Sequence, residues 1–101
     1  MKKVLILLAV SLVSVSFADQ KLAQRKGCNA CHAMNAKKVG PSYADIAKKY
    51  ADKPDAVRYL AERIKKGGVG VWGSIPMPPQ NVSDVEAKQL AKWILGIKQA
   101  K

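Results

Sequence analysis

The chain has 101 residues, 18 Lys and Arg against 7 Asp and Glu, one His, two Cys and a formal charge of +11. That length allows one small domain, and two Cys with one His fall a ligand short of a Cys/His zinc site. The basic excess favours acidic partner proteins; nucleic acid, the other anionic class, is disfavoured by an export signal and by the lack of interleaved basic and aromatic residues.

Residues 1–18 read as a secretory leader. Lys2 and Lys3 precede an apolar run from Val4 to Val15 broken only by serines, and Ser16 and Ala18 supply small residues for cleavage. The run is shorter than the ~20 residues that span a bilayer, so the expectation is cleavage after Ala18, no stable membrane insertion and a periplasmic location. The domain is then 19–101, with 16 Lys and Arg against 7 acidic residues, a balance of +9.

Asp19 is placed to cap a helix over 20–26, with Leu22 and Ala23 facing inward and Gly27 as its stop. A loop over 34–42 follows the next motif, with Lys37-Lys38 at its tip and a turn at Gly40-Pro41. Ile46, Ala47 and Tyr50 recur at helical spacing within 43–50. Asp52-Lys53-Pro54-Asp55 reads as a helix start, and Val57, Leu60, Ala61 and Ile64 form one helix face that ends behind Lys65-Lys66 at Gly67-Gly68. From Val69 to Val82 there are prolines and glycines without periodicity, hence a long loop with a functional task. Ser83-Asp84-Val85-Glu86 is a capping box, opening a last helix that buries Ala87, Leu90, Ala91, Ile94 and Ile97, with Trp93 as a packing residue. No segment reads as a strand, and the fold class is all-α.

Between the first helix and the first loop lies Gly27-Cys28-Asn29-Ala30-Cys31-His32. Cys-x-x-Cys-His is the pattern of covalent c-type haem attachment. Residues three apart share a face of a helical turn, so the thiols of Cys28 and Cys31 can meet two vinyl groups on one porphyrin edge. His32 is then positioned to offer an imidazole nitrogen to the iron. A redox dithiol would call for strands nearby, and none is indicated. A domain of this size buries only about 60–65% of its unfolded surface, so the haem-free chain is expected to be largely unfolded.

The sixth iron position decides the chemistry. There is no second His, Met1 leaves with the leader, and Met34 lies too close to His32 along the chain to reach the other haem face. Met77, in the proline-stiffened stretch Ile75-Pro76-Met77-Pro78-Pro79, is the candidate; a lysine, a water or an open position are the alternatives. A thioether-saturated iron exchanges electrons, whereas an open one would bind gases or peroxide.

Taken together, the helix, Cys-x-x-Cys-His, the Gly-Pro turn, the Gly70-Val71-Trp72-Gly73 to Pro79 loop and the terminal helix resemble the small bacterial class I cytochromes c of the c-551/c-552 type. The resemblance spans 19–98 and implies four to five short helices wrapped around one covalently attached haem, in a monomeric periplasmic electron carrier rather than an enzyme. It implies thioethers at Cys28 and Cys31, His32 and Met77 as axial ligands, and a Pro41 carbonyl accepting the His32 Nδ1 proton. Arg63 and Trp72 resemble propionate partners, and Gln80 stands where relatives place a residue near the Met sulfur. Implied donors and acceptors are a cytochrome bc complex and a terminal oxidase or nitrite reductase, engaged through a lysine-rimmed haem edge.

Overall fold

The computed structural model describes residues 17–98, so the leader expected over 1–18 lies outside the described residues except for Phe17 and Ala18. The elements are α1 (Phe17–Arg25), a 3-10 turn (Cys28–Ala30), α2 (Tyr43–Tyr50), α3 (Ala56–Lys66) and α4 (Asp84–Leu95). Among the described residues the only extended pairings are two isolated bridges, His32 with Lys37 and Gly68 with Met77. The architecture is all-α, with the helix count expected from the sequence. No helix among the described residues is long and apolar enough to cross a membrane.

Every other helix packs on α4. Its buried face is Ala87, Leu90, Ala91, Trp93 and Ile94, the helical stripe expected from the sequence with Trp93 widening it. Ala87 and Ala91 on α4 and Ala23 on α1 are wholly enclosed, and such small side chains let packed helices sit close. A full capping box starts α4: the Ser83 hydroxyl accepts from the Glu86 N–H at 3.0 Å, and the Glu86 carboxylate accepts from the Ser83 N–H at 3.0 Å. That backbone N–H is the main reason the Glu86 carboxyl lies below its ordinary pKa, and a hydrogen bond from Lys65 does the same for Asp84. Both contributions are therefore present at neutral pH and are lost as the pH falls through the acid range.

Three boundaries differ from expectation. Asp19 lies inside α1 rather than at its cap, and its carboxylate accepts from Gln89 Nε2 of α4 at 3.0 Å. A tertiary partner has replaced the local capping role. Helix α3 begins at Ala56, so the Asp52-Lys53-Pro54-Asp55 stretch leads up to the helix, with Asp55 at the N-cap making no side-chain capping bond. The Asp55 carboxylate instead pairs with Arg58 at 3.2 Å. At the other end α4 stops at Leu95 as the bonding tightens to three-residue closure: the Gly96 N–H is shared between the Lys92 and Trp93 carbonyls, both at 3.1 Å, and the Ile97 N–H donates to the Ile94 carbonyl at 3.0 Å. Ile97 packs half-buried against the core from beyond the helix.

Ser83→Ala removes one half of the box and should cost about 1 kcal/mol, seen as a melting temperature roughly 4–8 °C lower with unchanged helix content in thermal unfolding followed by circular dichroism.

Candidate functional site

The core is a wall more than a filled centre. Ala23, Ile46, Leu60, Ile64, Leu90 and Trp93 belong to the buried cluster and also face a cavity of about 650 Å³. Interiors normally hold few voids larger than a water molecule, so a chain this short encloses such a volume only around a group. Trp93, expected to be a packing residue, serves both the core and the cavity.

Gly27, at φ 80°, turns the chain from α1 into the 3-10 turn. Three residues per turn bring side chains at i and i+3 into register, and both Cys28 and Cys31 line the cavity. Both thiols are half-buried and neither forms a disulfide. Burial pushes the Cys28 thiol above its ordinary pKa, as expected of a sulfur set in an apolar wall.

His32 follows directly. Its Nδ1 lies 2.7 Å from the Pro41 carbonyl oxygen. A carbonyl only accepts, so Nδ1 carries the proton and Nε2 keeps the lone pair a metal would use. Gly40 makes room for this bond: a Cβ there would come within 2.7 Å of His32 Cε1 and 3.1 Å of Nδ1.

Tyr43 was not among the expected site residues. Its ring centroid is 5.5 Å from that of His32, inclined at 31°, and its hydroxyl donates to Asn29 Oδ1 at 2.7 Å. Burial, with the Cys28 thiol adding to it, raises the phenol above its ordinary pKa and keeps it a donor. An aromatic side chain directly after Gly40-Pro41-Ser42 was the available signal.

Met77 reaches the cavity from the long loop through backbone pairing. Its N–H donates to the Gly68 carbonyl at 2.8 Å, and the Gly68 N–H donates to the Met77 carbonyl at 3.0 Å. Gly67, at φ 78°, permits this approach, since a Cβ there would overlap the Met77 carbonyl oxygen. The loop is further tied by the Gln80 N–H donating to the Ile64 carbonyl at 3.0 Å. The Gln80 side chain lines the cavity, but its Nε2 donates back to the Pro78 carbonyl at 2.8 Å.

The two remaining expected residues, Arg63 and Trp72, share the wall with Tyr50 and Tyr59, which were not expected there. The Tyr50 and Tyr59 rings lie 5.3 Å apart, and burial, then the Tyr59 hydrogen bond, pushes the Tyr50 phenol up to about 12. The Arg63 guanidinium stands 5.7 Å over the Tyr59 ring. Arg63 Nε is the one buried side-chain polar atom among the described residues with no hydrogen-bond partner. A buried cationic donor left unpaired is costly, so this wall is built for an anion such as a carboxylate. Trp72 is 41% exposed at the rim, with Lys49 Nζ 5.7 Å from its ring and 5.8 Å from that of Tyr50.

Two thiols on one turn, an imidazole with its Nε2 lone pair available, a thioether, an apolar wall and a guanidinium whose Nε–H is unpaired are the donor set a covalently held haem needs. No cluster of three or more His, Cys, Asp or Glu able to hold a bare metal ion occurs among the described residues.

The comparisons with known proteins agree. The family model described as cytochrome c matches residues 20–98. The chain is 66% identical over 98 residues to a cytochrome c-552 of Hydrogenobacter thermophilus, covering 97% of this chain and 100% of that one. It is 57% identical over 77 residues to a cytochrome c-551 of Pseudomonas aeruginosa, covering 76% of this chain and 74% of that one. The crystal structure of wild-type Nitrosomonas europaea cytochrome c552 superposes with a TM-score of 0.76 at 59% identity, over 78% of this chain and 99% of that one.

Gly40→Ala should force the His32 ring off the Pro41 carbonyl and cost about 1–3 kcal/mol, measured by denaturant unfolding of the holoprotein. Gly96→Ala, whose added Cβ would meet only ordinary contacts at 3.5 Å and beyond, should cost far less.

Proposed function

The chain belongs to the cytochrome c family, electron-transfer proteins rather than enzymes, and carries one covalently bound haem c; from that premise we propose that it is a periplasmic one-electron carrier with His32 and Met77 as axial ligands. Cys28 and Cys31 hold the thioethers. The carrying observation is that one cavity collects Cys28, Cys31, His32 and Met77, residues from two distant stretches of chain. When bound, the haem supplies a one-electron iron couple whose reduction potential a neutral thioether ligand raises.

Each protein group has a defined task. The Pro41 carbonyl holds the His32 tautomer and its ring edge. The Gly68 pairing holds the Met77 backbone, so the sulfur is delivered without ordering a free loop. Arg63 offers its unpaired Nε to a haem propionate, and Trp72 closes the same end at the rim. Gln80, held to the Pro78 carbonyl, braces the loop behind Met77. With His32 and Met77 both supplied by the chain, exogenous ligands would be kept from the iron.

The partners are acidic redox proteins, met transiently by a monomer. Lys26 and Lys37 line the cavity, as do the exposed apolar residues Val39, Val71 and Ile75. The basic excess of the domain steers encounter, and the apolar patch provides a small contact. A donor of the cytochrome bc type and a terminal oxidase or nitrite reductase as acceptor fit this scheme, with export supported by the leader read over 1–18.

The ligation is tested with carbon monoxide. The reduced wild-type protein should remain inert, whereas Met77→Ala should bind carbon monoxide rapidly and lose the thioether-to-iron charge-transfer band of the oxidised form. Rapid binding by the wild type would replace the carrier with a gas-binding protein. Electron-transfer rates with an acidic partner should fall steeply as ionic strength rises, read by stopped-flow spectroscopy; a flat salt dependence would remove the electrostatic docking.

A further inference from the structure

Of the contacts around the cavity, one belongs neither to the ligands nor to the propionate wall. Tyr43 is buried at the first position of α2, and its hydroxyl crosses to the attachment turn, where Asn29 Oδ1 accepts it at 2.7 Å. Packing alone would be served by phenylalanine. A tyrosine buried there requires an acceptor, and the acceptor is the residue directly after Cys28.

We propose that the Asn29–Tyr43 pair is a positioning device that sets the plane of the His32 imidazole relative to the haem. This rests on the reading of His32 as an axial ligand. The last torsion of a histidine is broad, so its own rotamer preference leaves the ring plane loosely defined. The bond from Nδ1 to the Pro41 carbonyl directs one ring edge. The rest of the restraint comes from neighbours. Gly40 stands so close to the ring that a Cβ would intrude to 2.7 Å, and the Tyr43 ring lies against it at 5.5 Å and 31°.

Tyr43 is in turn held at three points. Its N–H donates to the Ala33 carbonyl at 2.8 Å, its ring meets the Trp93 ring edge-on at 5.0 Å and 64°, and its hydroxyl is held by Asn29. Asn29 is anchored from the other side, because Lys38 Nζ donates to its carbonyl at 2.8 Å. The turn that carries the thioether cysteines therefore also carries the anchor of the residue that walls the imidazole. Haem and ligand are referenced to one rigid unit, and their mutual angle is preorganised in both oxidation states.

The test compares Tyr43→Phe, Asn29→Ala, their double variant and Asn29→Asp, all as holoproteins. Asn29 is exposed, so truncating it spares the core. The readouts are the haem-methyl proton resonances of the oxidised protein, which report the axial imidazole plane, and the reduction potential. Tyr43→Phe and Asn29→Ala should each spread and reorder the methyl resonances in the same sense and shift the potential in the same direction. The double variant should go no further than either single one, and Asn29→Asp, which keeps an acceptor oxygen, should restore the wild-type methyl order. Ser83→Ala is the control: it lowers stability and should leave the methyl pattern untouched. A wild-type methyl pattern in both single variants, with the wild type shown to be histidine-ligated, overturns the positioning role alone. A wild-type spectrum without an imidazole ligand overturns the ligation and this inference together.

Discussion

A single 2.7 Å hydrogen bond, from His32 Nδ1 to the Pro41 carbonyl, organises the proximal side of the cavity. It joins the attachment turn to the loop ahead of α2, selects the tautomer that leaves Nε2 free to coordinate, and requires Gly40 to have no side chain. The Gly40 N–H donates to the Cys31 carbonyl at 2.8 Å, so the same loop is stitched to the cysteine turn at two levels. Proline in this loop has a physical logic: with φ restricted, the carbonyl that faces the imidazole costs little to hold in place.

The second proposed ligand is delivered by a different device. Met77 sits in a loop with almost no regular structure, yet a two-bond bridge to Gly68 fixes its backbone at the C-terminal end of α3. Gly67 both ends the helix and clears the space for that bridge. Helix α3 consequently serves three purposes: its buried face packs on α4, its end anchors the ligand loop, and Arg63 presents an unpaired donor to the cavity. A thin core is acceptable in such a fold because the apolar side chains that would otherwise meet each other meet a prosthetic group instead.

Charge is distributed with the same economy. Acidic side chains serve structure within and between helices: Glu86 in the α4 capping box and across to Lys26 at 3.5 Å, Asp84 across to Lys65 on α3, and Asp55 locally with Arg58 at 3.2 Å. The basic excess that remains gives the domain its long-range field. Among the described residues the exposed large apolar side chains Val39, Tyr59, Val69, Val71, Trp72 and Ile75 line the cavity, and Val85 on α4 stands apart from it.

Much of this was legible in the sequence because it is local. The helices, the Ser83–Glu86 box, the haem-attachment spacing and the choice of Met77 over Met34 as the methionine that lines the cavity all depend on residues a few positions apart or on simple counts. Two local readings missed: Asp19 lies within α1 and bonds Gln89, a tertiary partner, and the last turn of α4 tightens at Gly96 so that Ile97 packs from beyond the helix. What only the tertiary structure decided is the set of long-range approaches. That Gly40 and Gly67 are demanded by His32 and by the Met77 backbone, that Arg63 is left with an unpaired donor, and that Tyr43 walls the imidazole while bonded to Asn29, are facts of distance between segments. No periodicity encodes them, because they arise from where helices packed on α4 bring their ends.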